Sequence, residues 1–247
     1  MKNVEEYVIS HKGIKREDNE DNLYACGYLL PEKHDDIKNY EKKIRKTNNL
    51  LYAVFDGMGG LNDGAKASHL GVSILHRHKD KKIIDIVRTI NEEIQKEDNI
   101  GSTASIIRIN KDTLEYITVG DSPIYILSGD NFIKIREKED DTNLLDNYLG
   151  KDEIGAVADK TKLKNNDKIL LCSDGLCNEM NDVDIEYILS SSNDPKYIGD
   201  KLLNYALSNG GRENITMIVL VVKNDYKEII YLVLLLIIVF LVLFLIF

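Results

Sequence analysis

The chain has 247 residues, a net charge of -9 and three cysteines. This length supports one domain with a sizeable core, and an acidic balance with no Lys/Arg stripe argues against a nucleic-acid partner. The cysteine count is odd, Cys172-x4-Cys177 matches no common zinc spacing and each cysteine sits beside apolar residues, so Cys26, Cys172 and Cys177 read as reduced, partly buried thiols in a reducing compartment.

In chain order, Met1 to Glu6 lacks the apolar core of a signal peptide. Tyr7 to Ser10 and Asn22 to Leu30 read as strands either side of a polar turn, Lys15 to Asp21. Pro31 to Asn49 is highly charged and reads as an exposed connection. Leu50 to Phe55 is a short apolar run, expected of a strand buried on both faces, and it ends at Asp56. Asp63 to about His78 is predicted helical, with Ala67, Leu70, Gly71, Ile74 and Leu75 on one stripe. Lys82 to Glu97 is a second helix, with Ile83, Val87, Ile90 and Ile94 on its stripe. Thr103 to Asn110, Leu114 to Val119, Ile124 to Leu127 and Phe132 to Ile135 form antiparallel hairpins through turn-like Lys111-Asp112-Thr113 and Gly129-Asp130-Asn131. Glu137 to Asp167 reads as irregular, and Lys168 to Cys172 as a buried strand. Asp182 to Ser190 and Pro195 to Ser208 are helices, the second opened by its proline. Ile215 to Val222 is the last strand. Helices in two pairs among antiparallel strands make the fold class α+β.

Ile229 to Phe247 has no charge, Gly or Pro. At ~1.5 Å per residue it spans roughly 28 Å, about one hydrocarbon core, and it is expected to be a transmembrane tail anchor. Lys223 and Lys227 precede it and give a small positive-inside bias. The expected organisation is one folded domain over residues 1–223, a juxtamembrane linker at 224–228 and the anchor at 229–247. The expected location is the cell membrane, single-pass, with the domain in the cytoplasm.

Acidic residues recur where apolar strands end and glycine turns begin. They occur in Arg16-Glu17-Asp18-Asn19-Glu20-Asp21, Asp56-Gly57-Met58-Gly59-Gly60, Gly120-Asp121-Ser122, Ser173-Asp174-Gly175 and Glu213-Asn214-Ile215-Thr216. Carboxylate oxygens at rigid strand ends suit hard divalent cations.

In order and spacing, these motifs resemble the metal-dependent serine/threonine protein phosphatases, the type 2C family, from about Gly13 to Val222. The resemblance implies a four-layer α-β-β-α sandwich, a central antiparallel β-sandwich with a helical pair on each outer face. It implies two Mn²⁺ or Mg²⁺ ions with hydroxide between them attacking a phosphoserine or phosphothreonine ester, and a third, weaker ion. By resemblance, Asp56 bridges both ions, Gly57 offers its carbonyl to the second, Asp174 binds the first, and Glu213 is a further ligand. Asp121 joins Asp174 at the third ion. Arg16 grips the substrate phosphate, while Glu20 and Asp21 hold metal-bound waters. Gly101-Ser102-Thr103-Ala104 resembles a structural strand-opening motif.

The chain also departs from the family pattern. Glu213 stands where the family usually has Asp, Pro123 replaces an Arg, and Glu137 to Asp141 replaces a Thr-x-Asp-His motif. Met58 stands at the position of a eukaryotic histidine, so no histidine acid is evident. His69, His76 and His78 fall on or near the first helix and read as surface or packing residues. The expected function is a bacterial-like protein phosphatase whose partners are phosphorylated proteins, including targets of a membrane serine/threonine kinase. The alternative is a pseudophosphatase acting as a membrane-tethered binding module. A third reading is a phosphatase for a dedicated transcription regulator of the same fold.

Overall fold

The computed structural model describes residues 2–59, 63–136 and 147–225. The expected anchor at 229–247 and the Glu137 to Asp141 departure lie outside them. Among the described residues no helix is long and apolar enough to cross a membrane.

Two antiparallel sheets stack face to face. The first contains β1 (Lys2–His11), β4 (Ile37–Lys46), β9 (Ile124–Ser128), β10 (Asn131–Ile135), β12 (Lys168–Cys172) and β13 (Ile215–Asn224), in the order β10-β9-β12-β13-β1-β4. The second contains β2 (Asp21–Ala25), β3 (Tyr28–Leu29), β5 (Leu50–Gly59), β7 (Ala104–Asn110), β8 (Thr113–Val119) and β11 (Val157–Lys162), in the order β11-β8-β7-β5-β2-β3. The short β6 (Ile100–Ser102) pairs with the end of β5.

The continuous apolar runs are explained by alternation between two cores, since successive side chains leave a strand on opposite faces. From β5, Leu50, Tyr52 and Val54 enter the space between the sheets. Leu51, Ala53 and Phe55 face α1 (Gly64–Arg77) and α2 (Ile83–Ile94) on the outside. From β12, Ile169 and Leu171 point between the sheets. Leu170 and Cys172 face outward, against α4 (Asp182–Ser190) and α5 (Pro195–Ser208). The result is four layers, α-β-β-α, as expected.

Four expectations change. Pro31 to Asn49 is not all connection: β4 pairs with β1 over Ile37–Lys46 at the sheet edge, where a strand can stay charged. Asn22 to Leu30 is a hairpin rather than one strand, because Cys26 and Gly27 both take positive φ and turn the chain back. Within 137–167, β11 pairs with β8 although all six of its residues are exposed. Finally, a one-turn helix, α3 (Asp174–Cys177), follows β12 directly.

Candidate active site

The strand ends meet at one rim of the sandwich. Asp21 and Asp56 are cross-strand partners in the register of β2 and β5, which fixes two carboxylates side by side. Asp174 comes from the other sheet, as the first residue of α3. Ser173, immediately before it, donates from Oγ to Asp21 Oδ2 at 2.7 Å, linking the two sheets across the site. Asp121 sits in the β8–β9 turn, opened by Gly120 at φ +88°. Glu213 precedes β13.

These side chains line one cavity of about 320 Å³, with Arg16, Glu20, Gly57, Met58, Thr103 and Asn214. Every residue expected to bind metal, water or phosphate therefore stands in a single lining. His69, His76 and His78 do not: His69 Nδ1 lies 3.1 Å from the Leu30 carbonyl, and the His76 ring packs against Tyr24.

The glycines have a specific steric role. A Cβ on Gly57 would lie 2.0 Å from the Gly64 carbonyl oxygen and 2.7 Å from that of Glu20. A Cβ on Gly175 would lie 2.0 Å from the Asn214 carbonyl oxygen. Gly13, at φ +82°, meets the Glu213 carbonyl oxygen at 2.2 Å in the same way. Each glycine after a site aspartate thus lets a second site loop cross directly over the strand end.

Several contacts were not legible as site contacts in the sequence. Asn214 Oδ1 accepts from the Glu20 amide at 2.9 Å, while its Nδ2 donates to the Lys12 and Asp18 carbonyls, both at 2.9 Å. This fastens the Arg16–Asp21 loop to the start of β13. Asn178, one helical turn after Asp174, donates to Asp174 Oδ2 at 3.1 Å and to Glu213 Oε2 at 3.4 Å. Behind the site, Thr103 Oγ1 accepts from the Asp56 amide at 3.2 Å, and Ser102 Oγ donates to the Asp56 carbonyl at 3.0 Å. The Gly101 to Ala104 motif therefore anchors the backbone of Asp56. A short polar residue at the right offset was the only sequence signal for these contacts.

The lining concentrates negative charge. Six of its residues are acidic, Glu20, Asp21, Asp56, Asp121, Asp174 and Glu213, and Arg16 is its one basic residue. Burial pushes the Asp56 carboxyl far above the usual range, and neighbouring Asp21, Asp174 and Asp121 add to it. Burial likewise raises Asp174 to about 7, with Asp121 and Glu213 adding to the effect. Burial raises Asp21 to about 6, although hydrogen bonds from Ser173 and Thr216 oppose it. Glu20 is also raised by burial, partly offset by Arg16 and the Gly64 amide. With no cation, the chain must hold protons to keep these carboxyls together.

The donor set is oxygen only, without Cys or His, which fits a hard divalent ion. Among the described residues no group of three or more His, Cys, Asp or Glu side chains is drawn close enough to hold an ion as it stands.

The two-sheet α+β sandwich is the fold of bacterial serine/threonine phosphatase structures. The catalytic domain of PstP, solved in complex with two manganese ions, superposes with a TM-score of 0.74 at 24% identity, over 91% of this chain and 100% of that one. The Streptococcus agalactiae serine/threonine phosphatase gives 0.72 at 21% identity, covering 90% of this chain and 100% of that one. In sequence, residues 46–223 match the model of the family described as Stage II sporulation protein E (SpoIIE), and the chain belongs to that family. It is 27% identical to the serine/threonine protein phosphatase PstP of Mycobacterium tuberculosis over 259 aligned residues, 89% of this chain and 45% of that protein. The chain thus spans less than half the length of this relative. The serine/threonine phosphatase Stp of Listeria monocytogenes is 27% identical over 226 residues, 74% of this chain and 88% of that protein.

Proposed function

We propose that the chain is a metal-dependent phosphatase that hydrolyses phosphoserine and phosphothreonine in proteins. The observation carrying this is the acidic cavity lined by Asp21, Asp56, Asp174 and Glu213 together with the exposed Arg16. The relatives' names and the two manganese ions of the PstP catalytic domain support it.

Asp56 and Asp174 would hold the ions most directly, with the Gly57 carbonyl and Glu213 alongside and Asp121 toward a third position. Two bound Mn²⁺ or Mg²⁺ ions supply an acidified water and charge neutralisation for the phosphoryl group. The protein's own work is positioning. Arg16, exposed at the cavity, offers a planar fork of donors to phosphate oxygens. Glu20 and Asp21 accept from waters, and the Ser173 hydroxyl fixes the direction of Asp21. Asn178 holds Asp174 and Glu213 in register. Among the described residues the lining holds no imidazole, and water would supply the proton for the leaving seryl or threonyl oxygen.

The pseudophosphatase alternative rests on Glu213. That residue lines the cavity and shares Asn178 with Asp174, which weighs against a decayed site. We further propose that residues 229–247 anchor the chain in the cell membrane with the domain cytoplasmic, near targets of a membrane serine/threonine kinase, where tethering raises local concentration. Support for the anchor is its uncharged apolar composition.

Asp174→Asn tests the activity: hydrolysis of a phosphothreonine peptide with Mn²⁺ should vanish while the circular dichroism spectrum stays unchanged. Retained turnover would remove Asp174 from the mechanism. Recovery of the full-length chain from the soluble fraction after gentle lysis would refute the anchor.

A further inference from the structure

Two of the three cysteines bracket the site carboxylate Asp174. Cys172 ends β12 two residues before it, and Cys177 ends the one-turn helix α3 that Asp174 begins. Their sulfurs lie 3.9 Å apart. Cys172 is fully buried in the outer core, and Cys177 is partly buried against it.

The surroundings of Cys177 favour a thiolate. Tyr125 Oη is 3.3 Å from its sulfur, and the same hydroxyl lies 2.9 Å from Asp182 Oδ1. Lys134 Nζ also donates to Asp182 Oδ1, at 2.8 Å, so Tyr125 can turn its hydrogen to a charged Cys177 without stranding the carboxylate. The hydrogen bond from Cys172, helped by Tyr125 and the Lys134 charge, holds the Cys177 thiol below the ordinary thiol range against the opposing effect of burial. A partly exposed, stabilised thiolate beside a second thiol is the arrangement that oxidants attack.

We propose that Cys177 and Cys172 form a peroxide-reactive pair that closes to a disulfide around Asp174. The Cys177 thiolate attacks hydrogen peroxide, forming an S–O bond as the O–O bond breaks and hydroxide leaves. Cys172 then attacks the sulfenic sulfur, forming the S–S bond, and the departing hydroxide takes the Cys172 proton as water. Two thiols are oxidised and one peroxide is reduced to two waters. The sulfurs must close from 3.9 Å to about 2.05 Å, which draws α3 against β12. Asp174 lies inside the closed loop and Asn178 just beyond it, so both site contacts shift. The consequence for catalysis rests on the proposed function, whereas the bond itself does not. Disturbing groups that orient a metal ligand costs about 10- to 100-fold in metal affinity, and the oxidised chain should show a loss of that size.

The test is peroxide treatment of the full-length chain, alkylation under denaturing conditions, and mass spectrometry. Cys172 and Cys177 fall in one tryptic fragment, residues 169–196. That fragment should appear about 2 Da lighter and unalkylated, with Cys26 still alkylated, and dithiothreitol should reverse the change. Cys177→Ser should keep basal manganese-dependent hydrolysis and lose the peroxide response. Three alkylated thiols after peroxide, or a link involving Cys26, would overturn the proposal. A reversible disulfide in a chain with no hydrolysis under any condition would uphold the pair and refute only the phosphatase function. A disulfide that leaves manganese affinity unchanged would refute the link to the site.

Discussion

Gly175→Ala isolates how the site is assembled. Gly175 lies within α3, has ordinary helical φ, and is not among the expected ligands. By helix propensity alone, alanine there would stabilise by up to about 1 kcal/mol. The new Cβ, however, would fall 2.0 Å from the Asn214 carbonyl oxygen and 3.2 Å from the Glu213 Cβ. The loop must retreat about 1 Å before the contact is tolerable. Asn214 is also the residue that fastens the Arg16–Asp21 loop through Glu20, Lys12 and Asp18. Overpacking of this kind costs ~1–3 kcal/mol, or roughly 3–10 °C in Tm for a domain of this size. A displacement near 1 Å at a reacting centre costs about 100-fold in rate. Gly27→Ala is the control. Its Cβ meets nothing within 4 Å, although φ is +102°. It should cost ~1 kcal/mol of stability and leave kcat/KM unchanged. The assay is kcat/KM on a phosphothreonine peptide under saturating Mn²⁺, beside thermal melts. Wild-type kcat/KM in Gly175→Ala would refute the crossing-loop account.

Three more outcomes follow from the same geometry. In a chelator, stability should fall as pH rises from about 4 to about 7. Asp21 (about 6) and Asp174 (about 7) both have raised folded pKa values, so the folded state holds more protons across that window. Added Mn²⁺ should restore stability at pH 7.5, and chelator melts with no pH slope would contradict the buried-carboxylate picture. Asp56→Asn should therefore raise the Tm of the metal-free chain while abolishing hydrolysis, because it removes a carboxyl whose ionisation burial and the neighbouring carboxylates oppose. Far from the site, buried Glu6 accepts from Arg45 Nε at 2.7 Å and Nη2 at 2.8 Å, and from the Tyr52 hydroxyl at 2.7 Å. Arg45→Met should cost about 3 kcal/mol in urea unfolding, since Glu6 stays buried without its cation, and a neutral result would mean water reaches Glu6.

What the sequence disclosed follows from which forces are local. Leu50 to Phe55 and Lys168 to Cys172 were legible because strands between two cores must be apolar on both faces. Pro195 marked the start of α5 because proline fits the first helical turn. By contrast, β4 and β11 are held by pairing to β1 and β8, and their exposed or charged residues carry no alternating pattern. The strand-end aspartates were legible through the glycines beside them. Their supports were not: Ser173 reaches Asp21 across 152 residues of sequence, and Asn178 reaches Glu213 across 35. The first contact depends on the two sheets meeting and the second on β12 pairing with β13, and no local pattern encodes either.

The most direct measurement is a manganese titration of phosphothreonine-peptide hydrolysis, wild type beside Asp56→Ala. Saturable, manganese-dependent turnover in the wild type that is lost in Asp56→Ala is the predicted result. A folded wild-type chain that turns over nothing at any manganese concentration, or a mutant as active as wild type, would contradict the assignment of the acidic cavity as a metal-dependent phosphatase site.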